Sequence, residues 1–161
     1  MFGKRKYTGW DGDSKGRRAG TNRLIDFVLF LNAGKITNLG SWAVRPMRGK
    51  SSPSVHGTGR AVDFGYHNRE DGVALVDFFV RNADVLGVEM VADYWPKPFG
   101  RTWRCDRNGW KVYNKKTISG APGGKWIHIE LSPAVADSAQ WFDEAFARLL
   151  APAEGHQPEG A

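Results

Sequence analysis

The chain has 161 residues, 41% hydrophobic and 12% aromatic, which suffices for the core of one domain and excludes a chain disordered as a whole. Its net charge of +6 favours acidic partners such as nucleic acid, an anionic membrane or a carboxylate-rich bacterial wall, without choosing among them. A single cysteine, Cys105, excludes an intrachain disulfide and reads as a structural thiol, and no stretch is long and apolar enough to span a bilayer.

Residues 1–20, rich in Gly, Lys, Arg and Asp, read as a basic N-terminal arm. Lys4, Arg5, Lys6, Arg17 and Arg18 are expected to be solvated and mobile, with Tyr7 and Trp10 docking the arm onto the domain. Thr21 or Asn22 can cap a helix to about residue 33, with Leu24, Ile25, Phe27, Val28 and Leu31 as its apolar face and Gly34 as its stop. A short strand is expected at 42–44, then a polar loop over 45–53. Asn68 can cap a second helix to about residue 83, with Val73, Val76, Phe79 and Val80 facing inward. Strands are expected at 88–95 and 109–113, separated by a loop, and the Gly- and Pro-rich stretch 114–124 suits the rim of a site. Asp137 or Ser138 can cap a last helix to about residue 150, with Trp141, Phe142, Ala145, Phe146 and Leu149 on one side. Residues 151–161, with His156, read as a flexible tail, so the single domain spans 21–150.

Two stretches carry chemistry. From Ser54 to Asp63 the chain places His56 and Asp63 seven residues apart, with Gly57 and Gly59 between them. Glycines there allow a turn at little steric cost, so a histidine on the turn and an aspartate on the following strand can converge. In the second stretch, Ile127, Ile129 and Leu131 alternate with Trp126, His128 and Glu130, the period-2 pattern of a half-buried strand. His128 and Glu130 then share the face away from the core. Two histidines and one aspartate leaving a fourth position for water form a donor set that suits a catalytic zinc ion, which lowers the pKa of that water to about 7. Ser54 is expected to brace the turn rather than act as a nucleophile, and His67 to lie at the rim.

Ser54, His56, Gly59, Ala61 and Asp63 fill every fixed position of the S-x-H-x-x-G-x-A-x-D signature of the M15 zinc peptidases, and the later Trp126-x-His128 resembles the strand bearing that family's third zinc ligand. The family includes D-Ala-D-Ala dipeptidases and carboxypeptidases and the L-alanyl-D-glutamate peptidases of phage endolysins. The resemblance covers roughly residues 40–131 and implies zinc bound by His56, Asp63 and His128. The expected fold is α+β: a small antiparallel sheet with helices packed on one face and a zinc-site cleft on the other, like the M15 and hedgehog domains. The family also implies an arginine upstream of the first histidine that holds the substrate; Arg45 is the first choice and Arg48 the alternative. Its catalytic acid ordinarily stands three residues before the last histidine, where this chain has Lys125. The base is therefore sought elsewhere, with Glu130 first, about 6.6 Å along the strand from His128, and Asp93 second.

The implied function is hydrolysis of amide bonds in peptidoglycan stem peptides by a monomeric phage endolysin. The opening residues lack a signal-peptide core, so the expected route is synthesis in the host cytoplasm and action at the cell wall in a phage lysis system or from the virion. No specific nucleic acid and no membrane insertion are expected. The rival readings are a non-catalytic, zinc-stabilised wall-binding module on the same fold and, on charge alone, a nucleic-acid-binding protein.

Overall fold

The structure, a computed structural model, describes residues 3–152. Its centre is a six-stranded antiparallel sheet of β1 (Ile36–Gly40), β2 (Ala61–Tyr66), β3 (Val88–Asp93), β4 (Arg101–Arg104), β5 (Gly109–Val112) and β6 (Trp126–Leu131). The spatial order is β1-β2-β6-β3-β4-β5, so the last strand in sequence lies in the middle, between β2 and β3. Alternation sends Val62 and Phe64 of β2, Val91 of β3, and Ile127, Ile129 and Leu131 of β6 to one face. There they meet all five helices of the described residues: α1 (Ala19–Leu31), α2 (Arg69–Arg81), α3 (Ala83–Leu86), α4 (Pro133–Ala136) and α5 (Ala139–Leu150). Phe64, Phe79 and Phe142 are fully buried in this layer, each contributing about 1.5–3 kcal/mol by leaving water. The α+β class and the antiparallel sheet with helices on one face are as expected from the sequence.

The opposite face is covered by loops and by the arm. Met90, Ala92, Tyr94 and Tyr113 form a second apolar cluster there, joined by Phe99, Ile118, Trp126 and Tyr7. Among the described residues the arm has no helix or strand before Ala19 but is held at several points. Arg5 pairs with Asp84 at 2.7 Å, and Thr8 donates its backbone N–H and its hydroxyl to the Glu89 carboxylate, both at 2.9 Å. Arg60 is 0% exposed; its guanidinium donates to the carbonyls of Gly9 and Leu131 and to Asp11 Oδ1.

Several elements differ from the sequence expectation. Residues 42–44 form no strand; the neighbouring strand is β1, of which only Ile36 is buried. The stretch read as a loop after Trp95 contains β4, whose charged ends hide the buried Trp103 between them. Helix α1 starts at Ala19, and Thr21, expected as its cap, is buried and donates its hydroxyl to the Gly59 carbonyl at 2.8 Å. On α2 Leu75, Val76 and Phe79 are buried and Val80 packs against the core as expected, whereas Val73 is exposed. Helix α4 was not expected, and Ser138 caps α5 by accepting from Trp141 N–H. Arg5 and Arg18 are not free: Arg18 pairs with Asp137 at 2.6 Å, while Lys4, Lys6 and Arg17 are exposed. Tail residues 153–161, including His156, lie outside the described residues. Among the described residues no helix is long and apolar enough to cross a membrane.

Candidate metal centre

Two local devices set the two histidine and one aspartate side chains. His56 sits in a 3-10 turn, Val55–Thr58, where Ser54 Oγ accepts from the His56 N–H at 3.3 Å. The turn closes on Gly59 at φ +72°, a left-handed conformation that residues with a Cβ rarely adopt. Gly57 is packed against the arm; a Cβ there would come within 2.2 Å of Asp13 Oδ1. Asp63 and His128 are direct partners in the antiparallel register of β2 and β6, so both side chains leave the sheet on the same face.

The three groups converge. Asp63 bridges the two imidazoles, Oδ2 lying 3.1 Å from His56 Nε2 and Oδ1 2.8 Å from His128 Nδ1. One ligand atom from each residue falls within 4.8 Å of the others. Four zinc ligands at about 2.1 Å in a tetrahedron stand roughly 3.4 Å apart, so enclosing one ion requires shifts of order 1 Å. His56 and His128 are 4% and 8% exposed. Two nitrogen donors and one ionised carboxylate in a sheltered place fit a divalent transition metal with a position left for an exogenous ligand.

The ring of His128 is held from both sides. Its Nδ1 faces Asp63, and its Nε2 lies 3.0 Å from Glu130 Oε1. Glu130 Oε2 in turn accepts the Tyr7 hydroxyl at 2.7 Å. A carboxylate on the far nitrogen of a ligating imidazole is the usual means of orienting such a ring.

These contacts set the charges. Burial pushes the Asp63 carboxyl up, but hydrogen bonds with His128 and His56 outweigh it and hold the group well below the ordinary carboxylate range. Burial would lower His128; its bonds to Asp63 and Glu130 prevail and raise it to about 10. Burial raises Glu130, and the bonds to His128 and Tyr7 overcome it, leaving the carboxylate ionised at neutral pH. The raised His128 stabilises the metal-free protein fully below its unfolded value of about 6.5, and this contribution is lost as pH rises through about 10. An incoming metal ion has to displace that proton. Affinity for a divalent metal ion is therefore expected to rise with pH, by about tenfold per unit for the proton that leaves His128. Calorimetry in buffers of different ionisation enthalpy counts that proton, and a pH-independent affinity would contradict this account.

The cavity over these residues has a volume of about 450 Å³, and Trp10, Tyr94 and Trp126 supply aromatic wall. Arg45 and Arg48 both line it and are exposed. Among the described residues, neither side chain has a hydrogen bond or ion pair. The Arg45 carbonyl accepts from Ser54 N–H at 3.0 Å, which ties this loop to the His56 turn.

Asp93, the second candidate for the base, is excluded by its position. It shares the helix-side face with Val91, is 0% exposed, and takes both nitrogens of Arg69 at 2.8 Å. Lys125 turns away and donates to the His67 carbonyl, and His67 is exposed. Burial raises the Cys105 thiol, which donates toward backbone carbonyls of the arm. Tyr7 was legible in the sequence only as a docking aromatic; its place beside Glu130 left no periodic signal. No family model matches the chain, and no curated protein and no solved structure matches it either.

Proposed function

We propose that the chain is a zinc-dependent peptidase that hydrolyses amide bonds in the stem peptides of bacterial peptidoglycan, as the M15 peptidases that its motif resembles do. The observation that supports this reading is the convergence of His56, Asp63 and His128, carried on separate strands and a turn, on the floor of a cavity of peptide size. Bound zinc supplies a water whose pKa falls to about 7 and a Lewis acid for the substrate carbonyl. Asp63, kept ionised, and the two imidazoles hold the ion. Among the described residues Glu130 is the only further carboxylate on the cavity wall; it orients His128, and to take the proton of a metal-bound water it would have to leave its partners His128 and Tyr7. Arg45, with Arg48 as the alternative, directs an unpaired guanidinium toward a substrate carboxylate or the oxyanion that develops on the carbonyl. The basic charge suits an anionic wall. The protein acts as a monomer in phage lysis.

A second reading, a zinc-stabilised module that binds the wall without cutting it, is favoured by the engagement of both Glu130 oxygens and by Lys125 at the usual acid position. Digestion of purified wall, followed by mass spectrometry, separates the two. New amino termini that vanish with chelator and return with zinc support the peptidase. Wall binding without new termini supports the module, and full cleavage in excess chelator overturns both.

A further inference from the structure

We propose that the N-terminal arm is part of the metal centre, with Tyr7 as a positioning residue that acts on the ion through Glu130 and His128. The inference rests on the zinc reading above. It starts from the geometry of a relay: Tyr7 Oη to Glu130 Oε2 at 2.7 Å, Glu130 Oε1 to His128 Nε2 at 3.0 Å, and His128 Nδ1 to Asp63 Oδ1 at 2.8 Å. A carboxylate on a buried strand has two oxygens to satisfy, and Glu130 is 4% exposed. With one oxygen given to the histidine, the other needs a donor. Ala61 and Met90, its cross-strand neighbours on β2 and β3, have no side-chain donor to offer. The hydroxyl comes instead from a segment outside the sheet.

The arm is built to deliver that hydroxyl. Arg5 and Thr8 anchor the backbone on either side of Tyr7, through Asp84 and Glu89. The Arg104 guanidinium lies 3.8 Å from the centre of the Tyr7 ring and covers it. A charge-assisted bond at 2.7 Å fixes one rotamer of the Glu130 carboxylate. That rotamer in turn keeps the imidazole turned with Nδ1 toward Asp63. Without the phenol the carboxylate is free to rotate, and the ring loses its guide. Outer partners of this kind typically change metal affinity about 10- to 100-fold when removed.

The test measures zinc affinity by competition with a chromophoric chelator, on the full chain. Tyr7→Phe removes one oxygen and keeps the ring under Arg104, and melting of the metal-free form reports whether the variant folds. Tyr7→Phe is expected to bind zinc about tenfold or more weakly, within the range known for outer partners. Glu130→Gln is expected to weaken it at least as much, and the double variant no more than Glu130→Gln alone, because both changes break one relay. Ser138→Ala, which removes the cap of α5 and lies outside both the arm and the relay, is expected to lower the melting temperature at unchanged affinity. Cobalt in place of zinc should show altered ligand-field bands in Tyr7→Phe and unaltered ones in Ser138→Ala. Wild-type affinity in Tyr7→Phe, additive losses in the double variant, or equal losses in Ser138→Ala would each overturn the inference while leaving the zinc reading intact. Failure of the wild-type protein to bind zinc would overturn the zinc reading itself, and this inference with it.

Discussion

Asp63→Ala should abolish zinc binding and, separately, destabilise the metal-free protein by about 3–5 kcal/mol at pH 7, the usual cost of breaking a buried ion pair on one side. Asp63 lies between two nearly buried imidazoles, at 3.1 Å and 2.8 Å, and its loss leaves a protonated His128 facing only Glu130. The pH dependence separates this effect from a simple packing loss. A carboxylate held below its ordinary value stabilises the fold above about pH 4, and that contribution disappears as pH falls through its native value. The gap between wild type and variant should therefore be full at pH 7 and narrow progressively in acid. Urea unfolding at a series of pH values, alongside a zinc titration at pH 7, measures both. Equal metal-free stability at pH 7 would refute the charge pairing, and retained zinc affinity would place the centre elsewhere.

The next largest effect is expected at Arg60, far less conspicuous in the sequence. Arg60→Met keeps most of the apolar stem but withdraws the donors from the carbonyls of Gly9 and Leu131. Asp11 is 37% exposed and can return to water, so replacing the ion pair itself costs little. The two carbonyls cannot all be rehydrated, and a buried group left unpaired costs about 1–3 kcal/mol. A total loss of about 3 kcal/mol follows, concentrated where the arm meets the sheet. Limited proteolysis should then cut within residues 3–18 under conditions in which wild type resists, and the urea midpoint should fall. A variant as stable and as protease-resistant as wild type would show that Arg60 does not hold the arm.

His56 and Asp63 were legible as one compact stretch with a glycine turn between them, and His128 and Glu130 because their stretch carries a period. Ile127, Ile129 and Leu131 assign His128 and Glu130 to the other face, and antiparallel pairing sets Asp63 beside His128. Asp93 was misplaced for the complementary reason. Every residue of β3 is buried, so its alternation is invisible in hydropathy, and a register irregularity between Val88 and Met90 hides the parity further. Strands β1 and β4 escaped because one has a single buried residue and the other is bounded by arginines whose charges are met in three dimensions. Among the described residues before Ala19 the arm has no helix or strand; pairs such as Arg5 with Asp84 join residues far apart in sequence, and no local pattern announces them.

The placement of β6 in the middle of the sheet governs when the site can exist. During synthesis β2 and β3 emerge with no partner between them, and both present bare edges until residues 126–131 arrive and zip into the gap. Closure of so distant a pairing is a slow, all-or-none event. The nascent polypeptide is thus inert by topology, and catalytic competence, on the proposed reading, is born together with the finished sheet.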